Sequence, residues 1–196
     1  MTNVLTKKEI DAILMFCDNY NITKYLINLD GSIDINQNVN INYARIKELP
    51  IKINEVNGDF EINNCMLKSL VNMPNTINGD FSVRQNSLRS LEGCPRIVTG
   101  DFDIEGNYLT STYVGDYDVL IKGEVIYLHN NEFSRSFLNE IENINELYED
   151  TGMYDISVVK LIFKYQRHFE IWDNDHESLN KKNYYELIAE IKDGLL

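Results

Sequence analysis

The residues that could support chemistry are few, and they do not combine into a known reactive site. The three histidines show no metal-ligand spacing, and no Cys-x-x-Cys pair occurs. No phosphate-binding glycine loop and no Gly-x-Ser-x-Gly motif is present. Residues 173–177 are rich in oxygen ligands, but Ser178 and Tyr184 stand where an EF-hand calcium loop needs Gly and Glu. The sequence therefore predicts no catalytic residue, no metal and no cofactor.

The chain is strongly acidic. Its 196 residues include 31 Asp and Glu but 18 Lys and Arg, which gives a net charge of −13. This balance argues against direct binding to nucleic acid or to an anionic membrane, because both need clustered basic residues. No apolar run approaches the ~20 residues of a membrane span, and residues 1–8 lack the apolar stretch of a signal peptide. The three cysteines are too few for a disulfide framework, so we expect a cytoplasmic protein.

A 21-residue repeat organises the middle of the chain. The triplet Gly-Asp-Phe recurs at 58–60, 79–81 and 100–102, and the apolar positions that follow it recur with the same period. A degenerate copy precedes the first triplet, with Gln37-Asn38 in place of Gly-Asp, and a looser copy runs from Gly123 to Asn130. A fixed period of this length is typical of solenoid proteins. The sequence therefore predicts about five stacked coils.

Each coil is expected to contribute one short strand and two rows of polar contacts. Apolar and polar residues alternate after each Gly, which predicts a strand with one buried face and a parallel sheet across coils. The proline-containing segment is expected to return in extended form. Two columns are predicted to form structural ladders between coils. Their members are Asp59, Asp80 and Asp101 after each Gly, and Cys65, Asn86 and Asn107 after each strand.

The segment Leu67-x-x-Leu70 followed by Phe81-x-Val83-x-x-Asn86-x-Leu88-x-x-Leu91 resembles a leucine-rich repeat of the short bacterial type. Its wording is also similar to repeat proteins of tailed bacteriophages. The resemblance implies an α/β solenoid with a short parallel β-sheet. For function it implies a binding scaffold, encoded by a phage and directed at a host protein such as a defence or regulatory factor.

The ends of the chain lose the repeat, which predicts three regions. Residues 1–28 form an N-terminal helical cap, with a helix over 6–20 and a hairpin that turns at Asp30-Gly31. Residues 29–133 form the solenoid. Residues 134–196 form a helical C-terminal cap or a small module, with helices expected from Ser134, from Asp155 (a strand is the alternative) and over 181–192.

The outward side of the strands carries the candidate binding residues. Acidic and amide side chains dominate it, and those that vary from coil to coil are assigned to recognition of a basic protein surface. Three tyrosines near the last coils are added to them, since tyrosine is frequent at interfaces. The set comprises Glu61, Asn63, Ser82, Arg84, Asp103, Glu105, Tyr108, Tyr113 and Tyr117. The alternatives are a merely solvated face and tyrosines that pack their own loop.

These patterns predict a non-catalytic protein-interaction scaffold that binds, and by the resemblance inhibits, a host protein through an acidic concave face. Two alternatives stay open. One is a virion or assembly protein that associates through its terminal coil, and the other is a nucleic-acid mimic that occupies the basic groove of a DNA- or RNA-binding protein. The sequence leaves the oligomeric state open.

Overall fold

A computed structural model describes residues 5–126, 131–133, 139, 158–176 and 178–193. The described part forms a β-solenoid of about four turns, with a helix and a hairpin at its N-terminal end and helices at its C-terminal end. None of the described helices combines the length and the apolarity that a membrane crossing requires.

Two sheets run along the solenoid axis, and every coil adds one strand to each. The first sheet has six strands and the second has five, in the spatial orders β1-β2-β4-β6-β8-β10 and β11-β9-β7-β5-β3. The first sheet contains β1 Tyr25–Ile27, β2 Ile33–Ile35, β4 Ile53–Val56, β6 Thr76–Ile77, β8 Ile97–Val98 and β10 Leu120–Ile121. The second contains β3 Val39–Asn40, β5 Phe60–Glu61, β7 Phe81–Ser82, β9 Phe102–Asp103 and β11 Val125–Ile126. All pairs are parallel except the β1–β2 hairpin.

The solenoid prediction is confirmed, whereas the leucine-rich-repeat type is not. The strand register follows the sequence period, since Phe60 pairs with Phe81 and Phe81 with Phe102. The first sheet was not foreseen, because the segments that form it were expected only to return in extended form. They are rich in β-branched residues and also lie one period apart, so Thr76 pairs with Ile97.

A third side, without regular strands, closes each coil. In the second coil it covers residues 64–75, where Cys65, Leu67 and Leu70 point inward while Asn64, Met66 and Lys68 alternate with them outward. The chain enters this side through a residue with positive φ in each coil. This column consists of Tyr43 (64°), Asn64 (57°), Gln85 (56°) and Gly106 (68°).

The core is a column of side chains stacked along the axis. The rings of Phe60, Phe81 and Phe102 are fully buried, with centroids 6.2 and 5.1 Å apart. Phe163 ends the column by packing edge-on against Phe102 at 5.5 Å. A single coil could not bury such a ring, so each coil depends on its neighbours and on the caps.

The N-terminal cap is the helix α1 (Lys7–Asn19), which begins in a capping box between Thr6 and Glu9. The predicted helix and hairpin are both present. The predicted apolar face, with Ile10, Ile13, Leu14, Cys17 and Tyr20, was partly wrong. Ile13 and Cys17 are buried together with Phe16, whereas Ile10 and Leu14 remain 36% and 42% exposed. The helix is rotated because Phe16 offers the larger ring to the core, where it packs against Tyr20 at 5.0 Å.

The C-terminal cap contains α2 (Val158–Phe169) and α3 (Lys181–Lys192). α2 lies over the last coil, where the Val119 N–H donates to the Phe163 carbonyl at 2.8 Å. α3 covers the predicted range and buries Tyr184, Leu187 and Ile188. The helix predicted from Ser134 lies outside the described residues except for residue 139, and so does the predicted cap at Asp155.

Candidate protein-interaction surface

A row of carboxylates lies at the corner between the two sheets. It is formed by Asp59, Asp80, Asp101 and Glu124, which we call the acidic corner row. The Asp80 N–H donates to Asp59 Oδ1 at 2.9 Å, the Asp101 N–H to Asp80 Oδ1 at 2.8 Å, and the Glu124 N–H to Asp101 Oδ1 at 2.8 Å. One carboxylate oxygen of each Asp is therefore used to join successive turns.

The glycine that precedes each corner residue makes this close approach possible. A Cβ at Gly79 would lie 2.6 Å from Asp59 Oδ1 and 2.6 Å from the Gly58 carbonyl, well inside contact distance. The Gly-Asp pair is therefore a steric unit, in which the glycine of one turn makes room for the carboxylate of the turn before. Asn38 occupies the same position one turn earlier, and its Oδ1 accepts from the Asp59 N–H at 3.1 Å.

The charge of the corner row is largely uncompensated within the described part of the chain. None of its four carboxylates forms an ion pair with a described residue. Asp80 is exposed, and among the described residues its Oδ2 has no hydrogen-bond partner. Strands repeat about every 4.8 Å, at which two unit charges repel by roughly 1 kcal/mol in water. The fold therefore holds repelling charges at fixed spacing.

The predicted recognition residues in the middle of the second sheet contact one another. Glu61 Oε2 accepts from Asn40 Nδ2 at 3.1 Å and from Asn42 Nδ2 at 2.8 Å. Asn63 Oδ1 accepts from the Ser82 hydroxyl at 2.9 Å and from the Arg84 N–H at 2.8 Å. These side chains join neighbouring coils, which a sequence reading based on column variability did not anticipate.

Asp103 is the most buried carboxylate of this face. Its residue is 9% exposed, its Oδ1 accepts from the Glu105 N–H at 3.1 Å, and its Oδ2 lies 3.7 Å from Arg84 Nη1. Burial raises the pKa of Asp103 above the ordinary 3.8, although the Glu105 N–H and Arg84 oppose the shift. Asp103 therefore offers little free charge to a partner, whereas Glu105 is half-buried.

A buried amide column joins the coils behind the second sheet. Asn86 accepts from the N–H groups of Cys65 and Leu67 at 2.9 and 3.0 Å, and donates to the carbonyls of Ile62 and Val83 at 2.8 and 2.9 Å. Asn107 makes the corresponding contacts one turn later, including a 3.1 Å bond to the Val83 carbonyl.

The two ends of this column depart from the repeat. In the first copy the Cys65 thiol lies 3.1 Å from the Ile41 carbonyl, where the later copies place an amide. In the last copy Asn131, rather than the expected Asn130, donates to the Ile104 carbonyl at 3.0 Å. Asn130 itself lies outside the described residues.

The three predicted tyrosines differ in their surroundings. Tyr117 packs the irregular segment, since its hydroxyl accepts from the Gly93 N–H at 3.1 Å and donates to the Cys94 carbonyl at 3.0 Å. Burial raises the pKa of Tyr117. Tyr113 stacks on His176 with ring centroids 3.9 Å apart. Tyr108 is 46% exposed and is the tyrosine of the three most accessible to a partner.

Sequence reasoning missed a basic surface on the third side of the coils. Lys47, Lys68 and Arg89 lie 21 residues apart, and the Lys68 N–H donates to the Lys47 carbonyl at 2.8 Å. Their common spacing was visible in the sequence but was overlooked because only strand columns were compared. Arg45, Lys47 and Lys68 also line a groove of about 560 Å³. With the exposed side chains of Tyr43, Met66 and Tyr108, these residues form what we call the basic face.

The described residues also contain a smaller polar cleft between the irregular segment and the C-terminal helices. It measures about 250 Å³, and Asp116, Arg167 and Trp172 are among its lining residues. Its buried polar group is satisfied internally, because Trp172 Nε1 donates to Gln166 Oε1 at 3.0 Å. Within the described residues, no three imidazole, thiol or carboxylate groups converge as they would to hold a metal ion.

Comparison with known proteins adds no name to this arrangement. No family model, no curated protein and no solved structure matches the chain. The solenoid is therefore established by its own strand pairing, and the function has to be argued from the surfaces described above.

Proposed function

We propose that this protein is a non-catalytic interaction scaffold that binds a basic protein through the acidic corner row. The observation that carries the proposal is the double use of the corner carboxylates. Asp80 and Asp101 each give Oδ1 to the backbone of the next turn, while their negative charge is not paired within the described chain. A partner that supplies Lys or Arg side chains would relieve the repulsion along the row.

The hydrogen bonds to Oδ1 fix the carboxylates before a partner arrives. Fixed side chains lose little rotamer freedom on binding, so the cost of ordering the interface is small. The net charge of −13 adds long-range attraction for a basic partner and speeds the encounter. Glu61 and Glu105 extend the negative surface from the corner onto the second sheet, while Asp103 contributes mainly through its contact with Arg84.

The resemblance to phage repeat proteins favours a host protein as the partner, with inhibition by occlusion as the consequence. A nucleic-acid mimic is a narrower form of the same proposal, in which the basic groove belongs to a DNA- or RNA-binding protein. Asn40, Ser82 and Asn63 make the neighbouring columns uncharged. This pattern supports a protein surface more than a full imitation of a nucleic-acid backbone.

The test separates charge from fold. Substituting Asp59→Asn, Asp80→Asn, Asp101→Asn and Glu124→Gln removes four charges but keeps an acceptor oxygen at each position, as Asn38 already does. A matched control removes four exposed charges elsewhere by changing Asp11, Asp18, Asp173 and Asp193 to Asn. Both variants and the wild type are used to capture proteins from a bacterial lysate at low and high salt.

The proposal expects a basic protein that the wild type and the control retain at low salt and release at high salt. The corner-row variant should fail to retain it. Equal retention by the corner-row variant would overturn the proposal. The identified protein then serves as the ligand for quantitative binding, and displacement of a nucleic acid from it would support the mimic.

A further inference from the structure

The acidic corner row and the basic face lie on opposite sides of the coil. In each turn the chain passes from the first sheet through the Gly-Asp corner to the second sheet, and then along the third side back to the first. A corner between two sides of a three-sided coil lies opposite the third side. Asp59, Asp80 and Asp101 therefore point away from Lys47, Lys68 and Arg89, and the cross-section is an electric dipole.

The two surfaces also share one spacing. Each provides one charged residue per turn over three turns, because both come from the same 21-residue repeat. Strand pairing sets the rise per turn at about 4.8 Å for both. When two solenoids lie side by side with parallel axes, the carboxylates of one can meet the bases of the other in register at three successive turns.

The basic face has the composition of a contact surface. Tyr43 is 78% exposed and Met66 is 58% exposed, and both have positive φ, of 64° and 67°. Bulky side chains are unfavourable there, so an exposed Tyr and Met are retained at a cost to the fold. Aromatic residues, Met and Arg are enriched at interfaces. Within the described chain, neither Lys47 nor Lys68 has an ion-pair partner, and Arg89 is 3.9 Å from Glu132.

We infer that the protein associates with itself side by side, with the acidic corner row of one copy on the basic face of the next. A second copy fits this face better than a nucleic acid does. Glu48 and Glu92 lie among its bases, and the rest of the chain is acidic. Because the two surfaces are opposite, the contact is heterologous. It does not close into a two-fold dimer but leaves one acidic row and one basic face free at the ends.

Open association makes a specific prediction for sedimentation velocity. The weight-average mass of the wild type should rise continuously with concentration, from micromolar to millimolar, rather than level off at a dimer. Reversing the basic face with Lys47→Glu, Lys68→Glu and Arg89→Glu should weaken self-association at least about tenfold, since three contact pairs become repulsive.

A control with the same change in net charge separates contact from general repulsion. It carries Lys7→Glu, Lys8→Glu and Lys24→Glu, at exposed positions of the N-terminal region. It should associate like the wild type after allowance for the common change in charge. Equal weakening in both variants would overturn the inference, because the basic face would then have no special part.

Mixing two blocked chains gives the sharpest result. The basic-face variant keeps only the acidic row, and the corner-row variant of the preceding section keeps only the basic face. Each should be monomeric alone, and their mixture should form a one-to-one complex that does not grow further. A mixture that stays monomeric, or a wild type that stays monomeric at millimolar concentration, would refute self-association. Capture of the basic partner would still stand, because it tests the corner row alone.

Discussion

Two substitutions at Asp80 separate the hydrogen bond of the corner row from its charge. Asp80→Asn and Asp80→Ala remove the same negative charge, but Asn keeps an oxygen for the Asp101 N–H, which is 2.8 Å from Oδ1. Asn38 shows that an amide serves at this position, because its Oδ1 accepts from the Asp59 N–H. The difference in stability between the two variants therefore reports the hydrogen bond alone.

The expected magnitudes follow from the geometry. Losing a hydrogen bond of this kind costs about 1 to 1.5 kcal/mol. Removing the charge relieves repulsion from Asp59 and Asp101, each roughly 1 kcal/mol in water at about 4.8 Å and about half that at physiological salt. We expect Asp80→Asn to stay within about 1 kcal/mol of the wild type. Asp80→Ala should be about 1 to 1.5 kcal/mol less stable than Asp80→Asn.

Thermal unfolding measures this difference as a separation in Tm of about 2 to 6 °C for a chain of this size. The control is the pair Asp116→Asn and Asp116→Ala, at an exposed carboxylate whose side chain makes no hydrogen bond to a described residue. These two should unfold at the same temperature. Equal unfolding temperatures for the two Asp80 variants would refute the structural use of the corner carboxylate.

Three further predictions test other parts of the account. Asn86→Ala should lower the free energy of unfolding by roughly 3 to 4 kcal/mol, measured in urea, because it leaves several buried backbone groups unpaired; a loss below about 1 kcal/mol would contradict the amide column. Tyr43→Asn should raise stability by about 0.5 to 1 kcal/mol, because Asn tolerates a φ of 64° better than Tyr, and an unchanged melting temperature would argue against strain there. The pKa of Asp103 is raised in the fold, so its carboxylate lowers stability at neutral pH and this effect is lost as the pH falls through the raised pKa. Asp103→Asn should therefore be more stable than the wild type at pH 7 and approach it near pH 4, whereas a constant difference across that range would count against the assignment.

The 21-residue period was sufficient to predict the coils, since identical spacing forces identical side chains into register. It failed where the repeat lengthens. Phe102 pairs with Val125, 23 residues later, and the amide column continues at Asn131, 24 residues after Asn107. Extra residues in the irregular segment shift the register there, and the packing of that segment against α2 is not visible in a pattern of apolar positions.

The candidate site was predictable only in part. The position of Asp after Gly indicated a contact between coils, because a fold requirement repeats in every turn. The column variability at Glu61 and Asn63 suggested recognition, yet these side chains hydrogen-bond to the neighbouring coils. Side-chain hydrogen bonds can be satisfied by several residue types, so variability does not separate structural from binding positions. The basic face needed the three-sided cross-section before its position opposite the acidic row became apparent.

The most direct test of the central claim measures fold and binding on the same variant. The corner-row variant, with Asn at positions 59, 80 and 101 and Gln at 124, is compared with the wild type by thermal unfolding and by calorimetric titration of the captured basic partner. The account predicts melting temperatures within a few degrees of each other and at least about tenfold weaker binding by the variant. Unchanged affinity, or a collapse of the melting temperature, would contradict it.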